Sequence, residues 1–296
     1  MQEIIITQDI AGQRADKFLA RYLGAAPKTF IHKMLRKKNI VVNGKRAEGA
    51  QILVVGDVMT LYLSDETITK FTKPKNISTK PLSIIYEDEN IAVINKPANL
   101  LTQPNSADSD SVTGRLRHLY GNAAFDAVAV NRLDRNTTGI VLCAKNLRAA
   151  QILSKLIHDR QIEKNYMAVA HGEIPNEMLL EGFHAKDETK NLAQIVPRGT
   201  IGRRIATKVT PLKYDAARDV TVLKIGLETG RSHQIRAHLA SIGHPLMGDR
   251  KYGGKGAARQ MLHAHEIVFG EVGDTLKYLS KKYFEAPLPE DMKKLV

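Results

Sequence analysis

Two short apolar runs, residues 127–130 and 140–144, enclose the polar stretch Asn131-Arg132-Leu133-Asp134-Arg135-Asn136-Thr137-Thr138-Gly139. Neither run is long enough for a helix and the pair is rich in valine, so each reads as a buried strand with a loop between them. Asp134 is then a carboxylate on a loop held by a rigid sheet, between Arg132 and Arg135. That is a common catalytic arrangement. A polar turn whose Asp caps its own backbone is an equally open reading of these residues alone.

The formal charge of +13 over 296 residues is unevenly spread. Residues 1–80 carry 14 Lys/Arg against 7 Asp/Glu, and between Gly12 and Arg46 there are ten basic residues and one acid, Asp16. A cluster this dense suggests a polyanionic partner. An anionic membrane is the rival, but no basic helix carries the broad apolar face that interfacial insertion needs. The single Cys143 has no partner for an intrachain disulfide and lies in an expected strand, which implies a reducing compartment. The opening Met1-Gln2-Glu3-Ile4-Ile5-Ile6 is too short for a signal peptide, and no apolar run approaches the roughly 18 residues of a membrane span. The expected location is the cytoplasm.

Residues 14–23 and 28–36 show helical spacing, the first through Ala15, Phe18, Leu19, Tyr22 and Leu23, the second through Phe30, Ile31, Met34 and Leu35 after Pro27. Lys33, Arg36, Lys37 and Lys38 lie opposite that apolar face. Ile40-Val41-Val42, the turn Asn43-Gly44 and a strand at 58–63 follow. Residues 64–80 have little apolar periodicity and read as a linker, after which a mixed domain begins near Pro81. There, strands at 82–86 and 91–94 flank a turn. A helix at 111–120 presents Val112, Leu116 and Leu119, and Asn146 caps another helix. Residues 162–170 form a strand in which Tyr166 shares a face with Lys164 and Ala168; by itself a strand tyrosine is structural in most proteins. Residues 183–205 are basic and poorly periodic, so only a loop with short strands is expected. A strand at 220–227 turns through Glu228-Thr229-Gly230-Arg231 into Ser232, read as the N-cap of a helix that presents Ile235, Leu239 and Ile242 and stops at Gly243.

Arg132-Leu133-Asp134, two variable residues, Thr137-Thr138-Gly139 and an apolar strand ending Ala144-Lys145 resemble the catalytic motif of the RluA-type RNA pseudouridine synthases. That family usually has His where Asn131 stands and Ser where Thr138 stands. The resemblance continues through Asn95-Lys96-Pro97, Lys164-Asn165-Tyr166, the long run from Thr229 to Leu239, Ile242-Gly243-His244-Pro245-Leu246, Gly248-Asp249, Tyr252-Gly253, Leu262-His263-Ala264 and Phe284-Glu285-Ala286-Pro287. It covers residues 81–296 in specific motifs. Residues 12–63 are similar, more loosely, to the small S4-like RNA-binding domain that many members carry.

The resemblance implies an α+β fold with a mixed, largely antiparallel central sheet and flanking helices, plus a small N-terminal α+β S4-like domain. The expected divisions are 1–63 for RNA binding, 64–80 for the linker and 81–296 for catalysis. It implies Asp134 as the essential carboxylate, Arg236 as its ion-pair partner and Tyr166 as the ring that packs on the target base. Arg132 would fill the space that an extracted uridine vacates, a step costing a few kcal/mol. Large-subunit (23S) ribosomal RNA is the implied substrate. Arg231 and His233 at a helix start suit phosphate, and Lys37 and Lys38 belong to the basic N-terminal face. A monomer is expected.

Breaking the uracil–ribose bond, turning the base and rejoining it through carbon 5 needs neither a redox cofactor nor a nucleotide. It needs a carboxylate near the anomeric carbon, where the leaving base puts positive character on the sugar. A hydrolase would want a second carboxylate, and the sequence offers one plausible acid. A non-catalytic RNA-binding or ribosome-assembly protein retaining the fold is the alternative from another class; Asp134, Tyr166 and Arg236 at family spacing weigh against it. His233, His238, His244, His263 and His265 invite a metal, but no Cys or close acid joins them, and His233 and His238 do not share a helical face. No metal is expected. Gly253-Gly254-Lys255-Gly256 lacks the spacing of a phosphate loop.

Overall fold

The strand Thr138–Ala144 is buried at every residue, and its side chains divide between two cores. Ile140, Leu142 and Ala144 join Ile91 and Val93 against the helix Leu147–His158, while Val141 and Cys143 join Ala92 and Ile94 on the other face. That second face is covered by the helices Val112–Tyr120 and Gln234–Ser241, which contribute Val112, Leu116, Ile235 and Leu239. The two-residue period of a strand puts neighbours on opposite faces, and cover on both explains why these runs are apolar throughout. The computed structural model describes residues 1–8, 10–72, 80–105, 109–121, 125–187, 192–196 and 202–296.

Among the described residues the large sheet has eleven strands. Across it lie, in order, Leu192–Val196, Met178–Asp187, Arg203–Asp215, Val220–Leu227, Ile162–His171, Leu262–Phe269, Thr138–Ala144, Ile91–Lys96 and Ser83–Glu87. Tyr283–Glu285 pairs with Leu262–Phe269, and Val128–Ala129 with Thr138–Ala144. Every pairing is antiparallel except one, where His263 and Ala264 lie beside Thr138 and Gly139 in parallel. The fold is thus α+β on a mixed, largely antiparallel sheet. At the parallel seam Gly139 has φ +105°, and a Cβ there would stand 2.1 Å from the Ala264 carbonyl oxygen. Only glycine admits so close an approach. The Asp134 loop enters the sheet at this seam.

The N-terminal residues form a separate antiparallel sheet in the order Gln2–Ile5, Val58–Leu61, Ile40–Val42, Lys45–Arg46. The helices Ala15–Tyr22 and Lys28–Arg36 close its core with Phe18, Leu19, Ile31 and Leu35. Asn43 and Gly44 take φ of 50° and 69°, the tight hairpin turn that Asn-Gly favours. Lys33, Arg36, Lys37, Lys38, Lys45 and Arg46 are exposed.

Several sequence expectations need correction. The linker read at 64–80 begins with the helix Asp65–Thr72, whose Ile68 is buried in the N-terminal core and whose Phe71 ring lies 4.7 Å from Phe30. Two apolar side chains in eight residues, Ile68 and Phe71, give one turn of contact, too weak a periodicity to notice in sequence. Residues 73–79 of that linker lie outside the described residues. Within 183–205 the expected short strand is present as Leu192–Val196, but Met178–Asp187 and Arg203–Asp215, which run into the segment from either side, are long strands near the sheet edge; residues 188–191 and 197–201 lie outside the described residues. The opening strand Gln2–Ile5 was not anticipated. Leu119 and Ile242, assigned to core faces, are exposed: Tyr120 rather than Leu119 packs on the core at the end of the first helix, and Ile242 stands just past the end of the second. Among the described residues no helix is long and apolar enough to cross a membrane.

Candidate active site

Asp134 stands on the loop before the seam, and the chain fixes that loop on every side. The Thr102 hydroxyl donates to the Leu133 carbonyl and accepts from the Leu133 N–H. The Asn131 amide donates to the Ile140 carbonyl and accepts from the Leu142 N–H, so Asn131 ties the loop to its own outgoing strand. Farther on, Arg259 donates to the Asn136 carbonyl, Gln260 to the Thr137 hydroxyl, and the Thr138 hydroxyl meets His263 Nδ1 at 2.8 Å. Beneath the loop is Lys96, fully buried, whose ammonium donates to the carbonyls of Pro97, Leu100 and Arg135. Burial lowers the Lys96 pKa to about 7, with the charge of Asp134 opposing.

One guanidinium joins this loop to the other half of the sheet. Arg236 Nη1 donates to Asp134 Oδ2 at 2.8 Å, while its Nε and Nη2 grip both oxygens of Asp249 at 2.6 and 2.8 Å. Arg236 is 7% exposed and Asp249 2%. Burial alone would lower the Arg236 pKa, but the hydrogen bonds and charges of Asp249 and Asp134 outweigh it and raise it. A planar fork with one edge on Asp249 has its remaining N–H aimed at Asp134, which a lysine could not do. The Tyr252 ring lies 5.0 Å from the same guanidinium.

Tyr166 comes from the strand Ile162–His171, is 7% exposed, and lines a cavity of about 50 Å³ together with Asp134, Arg132, Arg231, His233 and Arg236. Its pKa is raised, chiefly by burial and then by the charge of Asp134, so the phenol keeps its proton. The fold therefore brings together six of the eight residues singled out in sequence. Lys37 and Lys38 lie on the exposed surface of the N-terminal unit. A depression of about 890 Å³ elsewhere is lined by Pro81, Asn95, Lys96, Arg259 and residues 287–291, but its acids Glu290 and Asp291 are paired with Lys293 and Arg259. The smaller cavity is the one with a carboxylate, a ring and a cation facing each other.

Two local expectations are corrected here. Ser232 is not the helix N-cap. His233 precedes the helix Gln234–Ser241 with φ 57°, and the Gln234 side chain accepts from the Arg231 N–H instead. That left-handed residue turns the imidazole inward, with Nε2 3.8 Å from Asp134 Oδ2 and Nδ1 3.1 Å from the Tyr252 hydroxyl. Burial lowers the His233 pKa against the pull of Asp134. His233 thus faces the carboxylate rather than an external phosphate, whereas Arg231 is exposed at the rim. Of the five histidines grouped in sequence, His233 meets Tyr252, His238 meets Thr207 and His244 meets the His171 carbonyl, while His263 meets Thr138 and shares the Ala286 carbonyl with His265.

Asp249, Tyr252 and Lys96 belonged to recognised motifs but had been given no role at the site. Asp249 is separated from Arg236 by a loop, and nothing in spacing pairs them. The signal for Lys96 was the resemblance of Asn95-Lys96-Pro97 to a family motif that begins a loop bordering the active cleft.

Residues 90–241 match the family described as RNA pseudouridylate synthase. Ribosomal large subunit pseudouridine synthase C of Pasteurella multocida (strain Pm70) is 32% identical over 99% of this chain and 92% of its own length. The protein of the same name from Vibrio vulnificus (strain CMCP6) is 30% identical over 100% of this chain and 96% of its own. Human RNA pseudouridylate synthase domain containing 4 shares the fold at a TM-score of 0.57, covering 71% of this chain and 90% of its own, at 22% identity. The chain belongs to the RNA pseudouridylate synthase family. It is an enzyme, an RNA pseudouridine synthase.

Proposed function

We propose that the protein isomerises uridine to pseudouridine in large-subunit ribosomal RNA, with Asp134 as the essential carboxylate. The observation that carries this reading is the Asp134–Arg236–Asp249 chain of charge-assisted hydrogen bonds closing on a cavity that Tyr166 lines. In the reaction the N1–C1′ bond breaks, C1′ bonds to carbon 5, the carbon 5 proton leaves and N1 gains a proton. Atoms and electrons balance without an added reagent, so the protein acts without a cofactor. Asp134 meets the positive character at C1′, and Arg236 holds that carboxylate in place. Tyr166 packs on the base and Arg132 fills the vacated stack.

Residues 1–72 serve as an S4-like RNA-binding unit, with Lys37 and Lys38 on RNA phosphates, and residues from about 81 onward form the catalytic domain. Lys33, Arg36, Lys37 and Lys38 are exposed and, among the described residues, in no ion pair, which supports that role. The enzyme works as a cytoplasmic monomer. Pseudouridine maps of large-subunit RNA from cells with and without the protein test this: at least one position should revert to uridine, and identical maps would refute the substrate.

A further inference from the structure

Some cations near the Asp134 cavity are paired; others, among the described residues, are not. Asp134 and Asp249 hold Arg236, and Asp291 holds Arg259. Lys164 stands on the strand Ile162–His171, on the face of Tyr166 and about 7 Å before it along the strand. Its ammonium lies 3.6 Å from where a Cβ on Gly230 would sit, so it borders the turn that brings Arg231 and His233 to the cavity.

Lys164 is only partly exposed. Burial lowers its pKa, and the charge that acts on it is a like one, Arg160. Among the described residues no carboxylate or hydrogen-bond acceptor meets its ammonium. Neighbouring acids are directed elsewhere: Glu163 is exposed on the opposite strand face, and Glu266 accepts from the Asn165 amide at 2.8 Å. A partly desolvated ammonium without a counter-ion is destabilising, so this position calls for an anion from outside. The exposed Arg132 and Arg231 line the cavity beside that turn. Lysine offers a compact point charge, which suits a phosphate oxygen rather than the edge of a base.

We propose that Lys164 binds the backbone phosphate next to the extracted uridine and so holds the strand across the Asp134 cavity. This rests on the reading that uridine is taken at Asp134. The test compares wild type, Lys164→Gln and Lys164→Arg on an RNA fragment carrying the uridine that the wild type converts. Lys164→Gln should raise Kd and KM about tenfold. It should flatten the dependence of log Kd on log salt by about 0.7 to 1, and leave kcat at saturating RNA within about threefold. Lys164→Arg should restore both affinity and slope. An uncharged methylphosphonate at one of the two linkages flanking the uridine should weaken the wild type equally and Lys164→Gln no further.

An unchanged Kd and slope in Lys164→Gln overturns the proposal, as does a neutral linkage that weakens both proteins alike. Reduced kcat with an unchanged slope would mark a structural role and overturn it too. Lys164→Met carries the same expectations if the Gln variant folds poorly. Absence of conversion by the wild type would instead refute the proposed reaction, and a large-subunit RNA transcript would still score the Lys164 affinity and salt slope.

Discussion

Asp249→Asn changes one atom in a site that has no room for error. Both Asp249 oxygens accept from Arg236, at 2.6 and 2.8 Å, and both residues are almost wholly buried. The amide keeps one acceptor but turns an NH₂ donor toward a guanidinium N–H, so one bond is lost and two donors oppose each other. Arg236 keeps its full charge with Asp134 as the remaining counter-ion, itself 26% exposed. Breaking a buried pair by removing one partner costs about 3–5 kcal/mol. The guanidinium then shifts, and Asp134 with it; a displacement of about 1 Å at a reacting group costs roughly 10²-fold in rate. Urea unfolding followed by circular dichroism, with kcat on saturating RNA, measures both effects. Asp291→Asn is the internal comparison, since Asp291 is 45% exposed and water can replace its oxygens on Arg259; the expected loss is about 1 kcal/mol. An Asp249→Asn protein within about 1 kcal/mol of wild type and with kcat within about threefold would refute the argument that Asp249 fixes Arg236.

Deleting residues 1–80 should weaken RNA binding strongly, flatten its salt dependence and raise KM, while substantial turnover persists at saturating RNA; unchanged affinity and slope, or no turnover, would contradict the division of labour. Acid stability should be set partly by His238 and His263, which burial holds neutral with pKa lowered to about 4. The unfolded chain protonates them near 6.5 and the fold near 4, so stability is flat above 6.5 and falls as pH drops between these values, by up to about 1.4 kcal/mol per pH unit for each. His263→Gln should flatten that limb by one proton in a urea-midpoint series against pH; an unaltered limb would show that His263 is not buried neutral.

The Asp134 loop was legible because both flanking runs are buried on two faces, which leaves them apolar at every residue and makes the polar stretch stand out. Tyr166 and Arg236 followed from the motif around them, and the fold delivers both to one cavity. Asp249 was not legible as a partner because a buried arginine needs a carboxylate that the chain has 31 ways to supply, and only the packing of the loop after Leu246 selects one. His233 was misread for a local reason: Ser232 is a good cap by residue type, yet Gln234 satisfies the free N–H and allows a left-handed residue between. The full length of the strands at 178–187 and 203–215 was not legible because each leaves much of one face to solvent, so alternation is diluted by glutamate, glycine and histidine in the first and by arginine, lysine and threonine in the second. Thr138, where the resemblance leads one to expect serine, keeps a hydroxyl that meets His263 Nδ1.

The most direct test uses a large-subunit ribosomal RNA transcript with tritium at carbon 5 of uridine, because forming the carbon 5–C1′ bond expels that hydrogen to water. Wild-type protein should release tritium without added cofactor. Asp134→Asn, which keeps shape and removes charge, should release none above background while RNA affinity changes little. Release by Asp134→Asn within about tenfold of wild type, a difference of only about 1.4 kcal/mol in the barrier, would contradict the assignment of the essential carboxylate; no release by the wild type would contradict the proposed reaction on this RNA.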